Sequence, residues 1–575
     1  MVALALILVL LPVFSLFSLI QAAIPWTKYL NPLSLLNGVN NEPYVMDAWV
    51  IKEGSTYKMW YTHSRTDMDI PTMANNLTTI ISSPLISALV NLDLASLLGG
   101  MAGIGDTQEK MDALWNFMTG TTTVIGYAES TDGIDWNVVN DEVLAGTPDT
   151  LESIGFPCVI NDGGTYKMWF THSVTSLDKD GLQAILQDLD DPDLNVARDA
   201  LIDLMGSTRS AIGYTTSVDE TNWNTPDYEV FSGGGGGLWN SVATPCVIND
   251  SGTYKMWYTN ASTSLTADDI YNMLLDIGYF DINDLMNILD NTRTVISYTE
   301  SADGTTNWSA PSVVLAGSGG IWDSVATPSV IKNGSSYEIW YTSFTTDLTP
   351  QSIQALINET QALEQDIMNL WDSLASGDWD AFLNDLDAFF GDPTAIPPVP
   401  GIIDPVLPYL ANTSTVVGHA TSADGITWDI RNPTNLVGAS GSPWSSVGAP
   451  CVIYNGGVYE MWYVQGIDVL TAQNIVYLLQ GEILPLGYAY YEVSIDLVSG
   501  WNFIGLLRSP IPSNTEDVLS GIIANVRTVW AYDAATGLWS YFTTISGAPQ
   551  GGLTEMTEGK AYWIEMTDID TLIIS

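Results

Sequence analysis

Two of the three histidines in this 575-residue chain, His63 and His172, end the same short motif in two of its copies; Asn260, Ser343 and Gln465 end it in three others. Imidazoles in adjacent copies, together with the nearby carboxylate of Asp47, are donor types that a metal ion takes. Polar groups that end a strand are more often simply hydrogen-bonded, so no metal site is expected, and His63, His172 and Asn260 stand as candidates for ligand contact. Arg209 and Arg293 each precede a recurrent apolar strand. In a chain with 16 Lys and Arg against 66 Asp and Glu, such groups pair with neighbouring acids or hold an anionic sugar. Asp188-Leu-Asp-Asp-Pro-Asp193 is dense enough in carboxylates for calcium but lacks the glycine and terminal glutamate of an EF-hand loop. Calcium is a weak expectation, and no other cofactor is implied.

The elements that must position these side chains are written five times. YKMWYT from Tyr57, YKMWFT from Tyr166, YKMWYT from Tyr254, YEIWYT from Tyr337 and YEMWYV from Tyr459 each follow an apolar run and a glycine-containing turn. Apolar and aromatic residues on both sides of such a turn specify a hairpin. A second signature follows in four copies, at Thr123–Trp136, Ala211–Trp223, Thr294–Trp308 and Thr415–Trp428, with an alternating strand, an acidic turn and a Trp-bearing strand. Each unit is therefore four strands, A to D, with a long excursion between B and C. Four-stranded antiparallel units repeated radially make a propeller, and five copies predict five blades.

The fifth unit lacks strand D after Leu486–Tyr490, and Pro25-Trp26-Thr-Lys-Tyr-Leu-Asn31-Pro32 reads like Thr427-Trp428-Asp-Ile-Arg-Asn432-Pro433 of the fourth. Residues 25–36 are expected to complete the last blade, with Trp26 in the sheet of Tyr488, so that no sheet edge stays open. The B-to-C excursions, 64–121, 174–208, 262–292, 344–413 and 466–484, carry helical spacing and capping residues. They should form a helical crown over the mouth of the propeller, packed mainly on itself and open to self-association. The propeller then spans 25–492. Residues 493–575 change composition and read as a small, mainly β accessory module, whose aromatics serve mostly as core.

Composition narrows the partners. A formal charge of −50 repels polyanions, so nucleic acid is excluded. Cys158, Cys246 and Cys451 each follow the proline that opens a repeat, so they point alike from separate units and are expected as free, buried thiols. Residues 1–24 are almost wholly apolar and end in Gln21-Ala-Ala23, as a secretory signal does, though without an initial Lys or Arg. Export, to the cell surface or beyond, is expected; membrane attachment would follow only if this segment were retained.

The string P-x-V-I-x-x-G-x-x-Y-x-M-W-Y-T followed by I-G-Y-A-x-S-x-D-G-x-x-W resembles the five-bladed propellers of invertase-type and arabinanase/β-xylosidase-type glycoside hydrolases. The resemblance implies carboxylates at the starts of the innermost strands, one as nucleophile or base and another as general acid. Asp47 in MDAWVI matches the acid that opens the first blade of such enzymes. Its counterparts are Phe156, Thr244, Thr327 and Ala449, and Ala243 stands where the third-blade acid belongs. Glu152 aligns with Asn240, Asp323 and Ser445 a few residues upstream, so Asp47 and Glu152 form the best surviving catalytic pair. Glu152 and Asp323 can equally be loop carboxylates that bond local N–H groups. The expectation is thus a glycoside-hydrolase-like propeller that binds carbohydrate rather than cleaves it. The alternatives are an active glycosidase using Asp47 and Glu152, and an envelope component assembling through its crown.

Overall fold

The computed structural model describes residues 27–28, 45–66, 68, 70–91, 93–147, 150–233, 240–275, 286–287, 291–317, 323–346, 349–391, 399–410, 413–437, 446–455, 458–465, 486–492, 494–505, 514–533, 538–544, 552–557 and 560–573. The repeats fold as four-stranded antiparallel sheets, each strand beside its chain neighbour. The first joins β2 (Val45–Glu53), β3 (Thr56–Thr66), β4 (Thr121–Ser130) and β5 (Asn137–Leu144); the second joins β6 (Ser153–Asp162), β7 (Thr165–Thr175), β8 (Thr208–Ser217) and β9 (Asp227–Ser232). The third runs from β10 (Asn240–Asp250) through β11 (Thr253–Thr263) and β12 (Thr292–Ser301) to β13 (Ser312–Leu315). The fourth runs from β14 (Ser324–Asn333) through β15 (Ser336–Thr346) and β16 (Thr413–Ser422) to β17 (Asp429–Leu436). In the last, β18 (Val447–Asn455), β19 (Val458–Gln465) and β20 (Leu486–Glu492) are completed by β1 (Thr27–Lys28), where Thr27 faces Tyr490 and Lys28 faces Ala489. The chain's beginning thus closes its last repeat sheet; Trp26 lies outside the described residues.

The first strands of successive sheets touch in a cycle: β2 on β6, β6 on β10, β10 on β14, β14 on β18 and β18 back on β2. A ring of polar links ties them together. One residue at the same register in each strand reaches the next strand's backbone. The Trp49 indole N–H donates to Val159 O (2.8 Å). Cys158 Sγ accepts from Val247 N (3.1 Å), Cys246 Sγ from Val330 N (3.2 Å), Ser329 Oγ from Val452 N (2.9 Å) and Cys451 Sγ from Val50 N (3.2 Å). The thiols are free and buried, as their repeat positions imply. Each stands at the axis, where a single tryptophan and four small side chains fill the centre.

The acidic turns bind sheet to sheet. In the first, Ser130 Oγ accepts from Gly133 N (2.9 Å), and Asp132 Oδ1 accepts from the N–H groups of Ile134 and Asp135 (2.9 Å each). Gly133 has φ of 78°, and its carbonyl accepts the Trp462 indole N–H of the last sheet (2.8 Å). The turns at Gly304 and Gly425 receive Trp169 and Trp257 in the same way. These turns are structural, since each staples a buried tryptophan from another sheet.

Helices make up most of the described parts of the B-to-C excursions, and the fifth lies outside the described residues. Thr349 caps the Pro350–Ala362 helix, with Pro350 in its first turn. Helix Leu94–Gly105 packs on Lys179–Asp188, with Gln183 and Gln187 both donating to Gly105 O (2.7 and 2.9 Å). Helix Leu194–Ser207 packs on Ala267–Leu275, and Glu364–Ser376 on Ser83–Val90. The apolar stripes of these inserts thus meet one another, and Leu182, Leu186, Met111 and Leu114 form one buried cluster. Among the described residues no single helix is long and apolar enough to cross a membrane; the pair Pro71–Ile80 and Ser83–Val90, bent by 74°, passes that test only jointly.

Beyond β20 the chain pairs β21 (Ser494–Leu497) with β26 (Asp570–Ile573) and builds a separate four-stranded sheet in the order β22 (Gly500–Gly505), β25 (Ala561–Met566), β23 (Val526–Asp533) and β24 (Leu538–Thr543). One face packs on Leu519 and Ile522 to form a core of its own with Val529, Tyr562 and Ile564.

Candidate functional site

At the centre of the ring, the starts of the five first strands enclose a recess lined by Asp47, Ala48, Trp49, Phe156, Thr244, Thr327, Ala449 and the prolines that follow the last four. The recess is shallow, with a cavity volume of about 20 Å³, and is partly open to solvent. Trp49 closes it below, packing against the clusters that contain Cys158, Cys246 and Cys451.

Local backbone geometry sets what each strand shows to this recess. Phe156, Thr244, Thr327 and Ala449 have φ of 51°, 50°, 49° and 45°, a left-handed conformation that costs a non-glycine residue about 1–2 kcal/mol. Each lies in a one-residue bulge, as in the shift between Gly155 and Cys158. The bulge turns the backbone N–H toward the preceding sheet's threonine. Phe156 N donates to Thr62 Oγ1 (2.6 Å), Thr244 N to Thr171 Oγ1 (2.8 Å), Thr327 N to Thr259 Oγ1 (2.9 Å) and Ala449 N to Thr342 Oγ1 (2.9 Å). The last sheet has Val464 where the others have threonine, so no hydroxyl awaits the first sheet there. In β2 the bulge falls one step earlier, between Val45 and Asp47, and Asp47 pairs directly with Thr62.

Asp47 is 8% exposed, and its Oδ1 has no hydrogen-bond partner. Burial pushes its carboxyl up to about 7, and hydrogen bonds from the Thr62 hydroxyl and backbone N–H only partly oppose this. A carboxyl of that kind is half protonated near neutral pH, so it can donate or accept a hydrogen bond or move a proton.

The remaining candidates take other places. Glu152 does not line the recess. Its Oε2 accepts from Thr147 N (2.6 Å) and its Oε1 meets His172 Nε2 at 2.5 Å. Burial raises its carboxyl, but Thr147 and His172 outweigh that and hold it below the usual range. His172 also lies against Tyr228, ring centres 4.7 Å apart. His63 is buried beside Asp47 in the neighbouring strand, opposite Val45, with Nε2 2.6 Å from Asp141 O. Asn260 stands opposite Val242, and its Oδ1 is buried without a partner. Arg209 forms a two-pronged pair with Glu229 (2.9 and 2.7 Å), and Arg293 faces Ser262 across β11 and β12. Asp323 is buried beneath Gly317. Asp193 caps the Leu194–Ser207 helix, and among the described residues no group of His, Cys, Asp or Glu is placed to hold a metal.

Sequence reasoning missed three features. Trp49 as the floor was legible only as the one large residue in a column of Cys, Cys, Ser and Cys. The bulges carry no composition signal, since three non-glycine types occupy them. Glu338 accepts from Tyr459 (2.6 Å) and pairs with His419 (3.2 Å), which stacks on Trp340; this buried cluster replaces the Lys–acid–Tyr links of the first three sheets, such as Lys58 with Glu53 and Tyr166 (2.6 Å each).

No family model and no curated protein sequence matches the chain. Among solved structures it is similar to a thermostable family-43 glycoside hydrolase (13% identity, 80% of this chain and 91% of that one, TM-score 0.36). It is also similar to a β-1,2-mannobiose phosphorylase from Listeria innocua (11%, 81% and 97%, TM-score 0.42) and a GH32 β-fructofuranosidase from Bombyx mori (8%, 96% and 94%, TM-score 0.37). By name, two of these are glycoside hydrolases and one is a phosphorylase.

Proposed function

We propose that the chain is an exported five-bladed propeller that binds the terminal sugar of a glycan at the mouth of its central recess and does not hydrolyse it. The observation that carries this reading is the chemistry of the recess, where one carboxyl, Asp47, faces an aromatic ring and two threonines. Glycoside hydrolysis canonically takes two carboxyl groups about 5–9.5 Å apart on either side of the scissile bond. The positions equivalent to Asp47 are Phe156, Thr244, Thr327 and Ala449, and Glu152 is engaged by Thr147 and His172. A partly protonated carboxyl with a free oxygen suits a sugar hydroxyl, which both donates and accepts. Trp49 closes the floor, so a sugar is met at the mouth and no chain threads the centre. The apolar segment 1–24 supports export, to a setting where glycans are met.

The test is glycan-array binding of the full chain beside its Asp47→Asn and Asp47→Ala variants, with release of reducing sugar measured in parallel. Binding without sugar release, weakened about tenfold or more by Asp47→Ala, is expected. Sugar release abolished by both Asp47→Asn and Glu152→Gln would instead establish a glycosidase, and binding unaffected at Asp47 would remove the recess from the site.

A further inference from the structure

The sheet beyond β20 buries one face and leaves the other bare, and the bare face is aromatic. Register fixes its layout. Phe503 faces Trp563, Trp563 faces Trp530, and Trp530 faces Tyr541, so one row of four rings crosses all four strands. Ring centres are 4.8 Å apart for Phe503 and Trp563 and 5.0 Å for Trp530 and Tyr541. At the usual strand spacing the row spans roughly 14 Å. Phe503 is 62% exposed, Trp563 42% and Tyr541 41%. Tyr532 and Trp539 extend the patch on one side of the row, 49% and 56% exposed. On the other side, in a second row, Trp501 faces Glu565, and the register continues through Thr528, whose buried hydroxyl donates to Phe542 O (3.0 Å), to Thr543. Arg527 reaches Glu565 at 3.5 Å in this row.

Rings that could have been packed inward are instead held in water, and a soluble surface rarely keeps so large an apolar patch without a partner. The partner's chemistry follows from the two rows together. A hydrocarbon interior would have to bury the Glu565–Arg527 pair, and taking both charges out of water opposes insertion. A chain of net charge −50 is also repelled by anionic lipid and by a second copy of itself. An extended neutral polysaccharide meets neither obstacle. Its C–H faces lie on a row of rings, while its hydroxyls reach the carboxylate and guanidinium groups alongside.

We infer that the exposed face of the β22–β25–β23–β24 sheet is a second carbohydrate site, which takes a run of sugar rings along an extended neutral polysaccharide. It is independent of the central recess and stands whether or not the recess binds a chain end. The experiment is co-sedimentation of the full chain with insoluble cellulose and with chitin, beside Trp563→Ala and Trp501→Ala. Both tryptophans project from the face opposite the core, and an unchanged melting temperature confirms folding; should Trp563→Ala misfold, Trp501→Ala decides. Pelleting with either polysaccharide, weakened about tenfold or more by the tryptophan variants, is the expected result. Three outcomes overturn the inference: no pelleting with either probe, pelleting indifferent to both tryptophans, or a tryptophan-dependent attachment to phosphatidylcholine vesicles or dimerisation in its place.

Discussion

Replacing Asp47 by asparagine should change how stability depends on pH, because the buried carboxyl holds its proton more tightly in the folded chain than in the unfolded one. The carboxyl rises from 3.8 to about 7 on folding. Between those values the native state keeps a proton that the unfolded chain releases, so stability falls as pH rises. The contribution is fully present below about pH 4 and is lost as pH climbs through 7. A tenfold change in proton affinity is worth about 1.4 kcal/mol, so the loss is on the order of 4 kcal/mol by neutral pH. Asparagine is nearly the same shape and cannot titrate. The high net charge adds its own pH dependence, but that is common to both proteins and cancels in their difference. Denaturant unfolding followed by tryptophan fluorescence, at intervals from about pH 4 to pH 8, should show the variant gaining on the parent by that amount. Parallel curves, or a carboxyl carbon resonance of residue 47 titrating in the ordinary range near 4, would refute the reasoning and restore Asp47 as an ordinary ionised group.

Glu152 should behave oppositely. Its carboxyl is held low by Thr147 and His172 against the effect of burial, so its contribution is present above the ordinary carboxylate range and fades as pH falls. Glu152→Gln is therefore expected to cost about 1–3 kcal/mol at neutral pH and progressively less as pH falls below the ordinary carboxylate range, by the same unfolding assay. Trp49→Ala removes the floor of the recess and should cost about 3–5 kcal/mol. The same variant should expose Cys158, Cys246 and Cys451 to a thiol reagent that reaches them in the parent only on unfolding. Placing threonine at Val464 supplies the hydroxyl that the other four sheets have at this register, and a crystal structure of that variant should show whether Asp47 keeps its free oxygen.

Much of the architecture was legible because repetition turns a weak local signal into a strong one. The hairpins around Tyr57, Tyr166, Tyr254, Tyr337 and Tyr459 and the completion of the last sheet by Thr27 and Lys28 were all written in residue order. So were the burial of the three thiols and the helical inserts. The site was only half legible. Asp47 stood out as the one acid in its column, and the column places it beside Phe156, Thr244, Thr327 and Ala449. Its pairing with Glu152 rested on order along the chain, whereas the folded loop turns Glu152 to His172. The aromatics of the last sheet read as core material, and alternation along each strand puts half of them on the outer face instead.

Residue types and their five-fold recurrence alone determined the strands, the turns, the identity of the inner-strand residues and the shortage of acids among them. Only the tertiary structure decided which of these side chains meet. The environment of Asp47 is made by Thr62 from the adjacent strand and by walls from four other sheets. The rows on the outer aromatic face exist only once β25 lies between β22 and β23, strands far apart in sequence. Burial, and with it the affinity of a carboxyl for its proton, is a property of neighbours brought together by folding, and a linear pattern carries no measure of it.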